Sequence, residues 1–188
     1  MECLGAAFER ARFALRQAAR GRPATLAAAA DGLQRAVLGP VAGLLGDGPV
    51  IVSPPGPLHH TPWGLAPVLG VRAVSAVPSA LTWLRAAGLG VPVAGRTVLV
   101  AGPDLPSGGA EVAALATRLR APEVLVGSQA TVDQALAALD GAAVAHIAAH
   151  GRYRADSPTF SSLALADGPL TVHDVERLGR APYRVVLS

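Results

Sequence analysis

The chain has 188 residues, 51% hydrophobic and only 15% charged, which suits one domain with a substantial core and excludes a disordered polypeptide. Its net charge of +3 rests on arginine alone, with no lysine or asparagine; this reads as the coding bias of a G+C-rich genome and gives little support to a nucleic-acid partner. A single cysteine, Cys3, excludes an internal disulfide, suits a reducing cytoplasm, and stands too near the terminus to suggest a nucleophile.

Residues 1–46 read as a helical lead-in. Phe8, Phe13 and Leu15 lie among Arg and Gln, and Gly21-Arg22-Pro23 breaks the pattern. The apolar spacing resumes with Leu33, Val37 and Leu38, and Pro40 kinks or restarts the helix. Arg10, Arg12, Arg16, Arg20 and Arg22 form the densest basic cluster and read as a solvated helix face. Glu2, Glu9 and Arg10 interrupt any early apolar run, so no signal peptide is expected. The uncharged stretch 48–71 contains six prolines and two histidines and cannot form a membrane-spanning helix. His59 and His60 within it read as surface or hydrogen-bonded histidines, not as metal ligands.

From residue 47 onward the pattern is that of an alternating α/β domain. Strands are expected at 50–52, 71–77, 97–101 (TVLVA), 124–126, 142–149, 163–165 and 183–187. Helices are expected at 110–120, with Glu111 in the first turn, at 131–139, where Thr131 and Gln134 have capping-box spacing, and at 171–178, capped by Thr171. Strands of near-continuous Val, Leu and Ala alternating with helices predict a mainly parallel sheet covered on both faces. Such sheets place chemistry at the carboxyl ends of their strands. His150-Gly151 stands at one such end and Ser188 at another.

Three motifs compete for a functional reading. The loop GPDLPSGGAE after TVLVA is not GxGxxG, lacks a following Lys-Ser/Thr, and loses amides at Pro103 and Pro106, so nucleotide binding is not expected. His146 and His150 have HxxxH spacing, but Ile147 stands where a metallopeptidase has its glutamate. His146 reads as a core histidine satisfied by hydrogen bonds; if the segment is a strand, both rings share a face. His150, at a strand end before the polar loop Arg152, Tyr153, Arg154, Asp156, Ser157, is the better candidate for catalysis. No GxSxG is present, and Ser161, Ser162 and Ser188 show no partner set in the sequence. No metal and no cofactor is expected.

The string HIAAHGRYRADSPTFSSLALADGPLTVHDVERL, ending in RVVLS, resembles the CHAT domain, a caspase-like cysteine-peptidase module common in actinobacteria and often found after tetratricopeptide repeats. VIVSPPGPLHHTPWGLAPVLG, VSAVPSALTWL, VLVAGPDLPSGGAEVAAL and ATVDQALAAL extend the resemblance to about residues 33–188. It implies a caspase-like three-layer α/β/α sandwich over 47–188, a protein or peptide substrate, and a parent chain that can carry a tetratricopeptide-repeat region. It further implies that His150 is the catalytic histidine, that the Gly151 amide is an oxyanion donor, and that the nucleophile is a cysteine in LS-A-C following the last strand. The sequence stops at Ser188, before that cysteine, so the expectation is a domain truncated at its C-terminus, inactive alone, with an exposed sheet edge prone to aggregation. The alternative is a non-catalytic interaction module of the same fold.

Overall fold

The structure, a computed structural model, describes residues 4–22, 25–92, 94–105 and 107–188. Cys3 and Pro106 lie outside the described residues. The chain divides into two compact units, 1–89 and 90–188, so the composition boundary near residue 46 falls inside the first.

The first unit opens with two helices, α1 (Leu4–Ala19) and α2 (Leu26–Val37). Ala7, Ala11 and Ala14, spaced to share one face of α1, are buried, as are Ala29, Ala30 and Leu33 of α2. The seam is thus built from small residues, and Phe13, expected in the apolar pattern, is 57% exposed. All five arginines of the basic cluster are exposed, with Arg12 paired to Glu9 at 3.6 Å and stacked over the Phe8 ring. Pro40 sits in the short 3₁₀ helix Gly39–Leu44, where the α-helix cannot continue. Two parallel strands follow, β1 (Val50–Val52) and β2 (Val74–Ala76). The second starts later than its apolar run, because the Arg72 amide is engaged in a turn with the Leu69 carbonyl and Val71 lies in the open. Ser79 caps α3 (Ala80–Gly88), its hydroxyl oxygen accepting from the Thr82 amide at 3.1 Å. Leu33 and Leu69 are fully buried, and the Gln34 side-chain carbonyl accepts the Val68 amide at 2.8 Å, fastening the proline-rich stretch to α2.

The second unit holds the sheet. Its elements are β3 (Thr97–Ala101), α4 (Gly108–Arg118), β4 (Glu123–Leu125), α5 (Val132–Leu139), β5 (Val144–Ala148), β6 (Gly151–Arg152), β7 (Ser162–Leu165), β8 (Gly168–Thr171), α6 (Val172–Val175) and β9 (Arg184–Leu187). Four strands form an all-parallel sheet in the order β4-β3-β5-β9. Side chains alternate across it. Val98, Val100, Ala145 and Ile147 pack with Ala135, Ala138 and Leu139 of α5 on one face. Leu99, Ala101 and Ala148 pack with Val112 of α4 on the other. Helices on both faces make this a three-layer α/β/α arrangement, as the alternating pattern predicts. Removing a side chain such as Leu99 or Val100 from water stabilises the fold by about 1.5–3 kcal/mol.

Two strands escaped the sequence reading. Beside β7, expected at 163–165, lie the two-residue β6 and the proline-containing β8, which complete a three-stranded antiparallel ribbon in the order β6-β7-β8. Asp167 sits at its hairpin turn and accepts the Val132 amide at 2.8 Å. The caps are where the spacing placed them. The Thr131 hydroxyl oxygen accepts from Gln134 N, and Thr171 and Asp174 form a reciprocal capping box. The last helix is shorter than expected: α-helix gives way after Val175 to a turn in which Leu178 N donates to the Val175 carbonyl.

Candidate active site

The strand order locates the site. From β3 the chain passes through α4 to β4, then crosses back through α5 to β5, and only then moves outward to β9. Connections therefore diverge between β3 and β5, and the carboxyl ends of those strands flank a crevice suited to chemistry. The loop that opens with Gly102 leaves β3 on one side of it, and His150 follows β5 on the other.

His150 is exposed, and its Nε2 lies 3.2 Å from the Asp104 carbonyl oxygen. A carbonyl only accepts, so this bond requires the proton on Nε2 and leaves Nδ1 as the free lone pair of the neutral ring. Asp104 offers that oxygen from an unusual backbone, φ 59°, the left-handed region that aspartate tolerates better than most residues. Gly102, at the mouth of the same loop, donates its amide to the Ala148 carbonyl at 2.7 Å. That amide is therefore spent inside the sheet.

Gly151 follows at the start of β6, opposite Leu163. Its neighbour pair is bonded, with Ala164 N donating to the His150 carbonyl at 2.9 Å. By the alternation of an antiparallel ladder, the Gly151 amide falls between bonded positions and faces the free edge of the ribbon. A side chain at 151 would meet only Leu163 Cδ2 at 3.8 Å, so internal packing does not demand glycine here.

His146 lies four residues earlier, inside β5, and is 8% exposed. It is a core histidine satisfied by hydrogen bonds: its Nε2 is 3.1 Å from Glu111 Oε1 on α4 and 3.4 Å from Ser188 Oγ, while Ser188 Oγ donates to Glu111 Oε2 at 3.1 Å. The sequence reading saw no partners for Ser188, and the tertiary structure supplies two. His146 lies on the α4 side of the sheet and His150 just past the end of β5, and the two are held by different partners. Among the described residues no group of three or more His, Cys, Asp or Glu lies together as a metal site, and no helix is long and apolar enough to cross a membrane. His59 and His60 are exposed in turns.

On the opposite face of β5 and β9 lies an apolar groove of about 520 Å³, walled by Ile147, Leu163, Val175, Val185 and Leu187 and reaching Gly151 and Tyr153.

Comparison with curated proteins gives no match. The family model of the CHAT domain matches residues 27–188, most of the chain and the whole of the sheet with its crevice. The match begins a few residues before the expected span of about 33–188, and it takes in α2, which the composition had assigned to the lead-in. With this coverage, and with a mainly parallel α/β/α fold of the caspase-like kind beneath it, the chain belongs to the CHAT-domain family of caspase-like, peptidase-type proteins.

Proposed function

We propose that His150 is the general base of a cysteine endopeptidase centre acting on protein or peptide substrates, and that its nucleophile is the second residue beyond Ser188 in the parent polypeptide. The strand register carries this reading. β5 and β9 pair Ile147 with Leu187, and the ladder continues as Ser188 N donates to the Ile147 carbonyl and Ala149 N to the Ser188 carbonyl, both at 3.1 Å. Followed at the same offset, the chain brings the second residue past Ser188 level with His150. Alternation gives that residue the face of Ser188 and His146, and the same alternation carried two residues past β5 gives His150 that face too. A thiol there stands beside the imidazole.

In this reading the Asp104 carbonyl fixes the His150 tautomer and ring plane. Nδ1 takes the thiol proton, and the thiolate attacks the peptide carbonyl carbon. The carbonyl electron pair moves onto oxygen, which the Gly151 amide at the ribbon edge stabilises. Collapse breaks the C–N bond, and Nδ1 returns the proton to the leaving amine. Water then cleaves the thioester with the same nitrogen as base. Gly151 is useful because a substrate carbonyl can approach its backbone closely, which explains a glycine that packing does not require.

The test is cleavage of a peptide library by the protein expressed from its native gene. The expected result is a cysteine at that position and activity abolished in His150→Ala, with the thermal transition retained. Full activity in His150→Ala overturns the assignment. A folded protein whose partner binding is indifferent to His150 favours the interaction-module reading instead.

A further inference from the structure

β9 is a weak place to hang a reactive group. Among the described residues it lies at the edge of the sheet, four residues long and paired only to β5, with every one of its residues exposed. Edge strands held by a single short ladder fray readily. Two side-chain contacts bracket it. At its entry the Asp140 carboxylate accepts the Arg180 amide at 2.7 Å and the Gly179 amide at 3.4 Å. At its exit stands the cluster of Glu111, His146 and Ser188.

The exit cluster has the composition of a serine-hydrolase triad but not its geometry. In a triad the acid holds one ring nitrogen and the serine faces the other, so that the second nitrogen can take the hydroxyl proton. Here Glu111 Oε1 and Ser188 Oγ both approach the same Nε2, and the Ser188 proton is already given to Glu111 Oε2. The ring therefore cannot act as base toward Ser188. The three groups form a closed ring of contacts whose ends lie on α4, β5 and the end of β9, elements 35 and 42 residues apart in the pairs Glu111–His146 and His146–Ser188.

We propose that Glu111 and His146 are positioning residues, a clasp that seats Ser188 on β5 and so sets the height, relative to His150, of the chain that follows. Glu111 is anchored because its own amide is bonded to the Ser107 carbonyl in the first turn of α4, and His146 because it is nine-tenths buried in the central strand. The clasp stands on contacts within the chain, and its consequence for catalysis rests on the peptidase reading above.

The experiment is residue-resolved amide exchange on the protein expressed from its gene, with Glu111→Ala, Ser188→Ala and the double variant. Ser188→Ala removes one exposed hydroxyl and leaves the core untouched. Exchange is expected to quicken about tenfold at Ala149, whose amide bonds the Ser188 carbonyl, and at Ser188 in each variant. The double variant should be no faster than the faster single, because both remove the same contact. Leu99 and Val100 in β3 should not change. As a second readout, the ¹⁵N resonance of His146 Nε2 should move in Glu111→Gln while that of His150 stays. Unchanged exchange at Ala149, or equal acceleration at Leu99 and Val100, overturns the clasp. Peptide cleavage separates the two ideas. If Ala149 quickens and no form of the protein cleaves peptides, the clasp stands and the peptidase reading falls. If the protein cleaves, Glu111→Ala should lower kcat by up to about a hundredfold with KM little changed.

Discussion

Replacing Gly102 by alanine tests the close packing at the mouth of the crevice. Gly102 follows the last residue of β3 and lies against β7, and a methyl group there would run into the Ala164 carbonyl oxygen, well inside the 3.0 Å that real Cβ atoms respect. It would also lie 3.0 Å from Ala149 Cβ and 3.3 Å from Ala149 Cα. None of these neighbours is the end of a flexible side chain, so β7 or β5 must shift. Forced shifts of this kind cost about 1–3 kcal/mol. For a chain of this length that corresponds to a fall in Tm of roughly 3–10 °C. The loss should also be local, because Ala164 carries the amide that holds the His150 carbonyl at 2.9 Å. Circular dichroism melting reads the global cost, and amide exchange at Ala164 reads the local one. Gly109→Ala is the control: nothing lies within 4 Å of its added methyl, and it sits in α4. Alanine there should be neutral or stabilising by up to about 1 kcal/mol. Equal Tm values for the wild type and Gly102→Ala would refute the packing argument.

Other consequences follow from single contacts. The Asp174 carboxyl is held below 3.8 by the Thr171 side-chain hydrogen bond and then by the Thr171 amide. A depressed carboxylate contributes stability that is present above 3.8 and lost as pH falls through the folded value, so Thr171→Val should move the NMR midpoint of Asp174 back up toward 3.8. Leu99→Ala, at a fully buried position between α4 and the sheet, should cost about 2–5 kcal/mol in denaturant unfolding. Asp140→Ala removes the acceptor for the Gly179 and Arg180 amides, and should cost about 1 kcal/mol while loosening the entry to β9 in hydrogen exchange. Val185 and Leu187 remain 49% and 61% exposed beside the apolar groove, so the protein should bind a hydrophobic dye and Leu187→Glu should reduce the signal; equal dye binding would show that the groove is covered in solution.

Much of the architecture is legible in local pattern. The Val- and Leu-rich runs, the intervening amphipathic segments and the capping residues Thr131 and Thr171 each act over a few residues, and each is found where its spacing implied. His150-Gly151 at the end of an apolar run was likewise readable, because a strand end is a one-dimensional feature. The resemblance to the CHAT domain added the family, which the match over 27–188 shows.

What local pattern could not reach was pairing. β6 and β8 are too short, and β8 too interrupted by Pro169, to carry a periodic signal; they are strands because β7 offers them partners. Ser188 was an unremarkable serine until the 40-residue offset of β5 and β9 set it against His146, and Glu111 was a favourable first-turn acid until α4 folded onto the sheet. The Asp104 carbonyl carries no side-chain signature at all, yet it orients His150 across 46 residues of sequence. Sequence alone determined the longer helices, the strands of the parallel sheet and the family, because propensity, capping and side-chain periodicity are local. Strand order, register and the partners of His146 and His150 were decided only by the tertiary structure, because contacts between residues 35–46 apart depend on how the intervening chain closes upon the core.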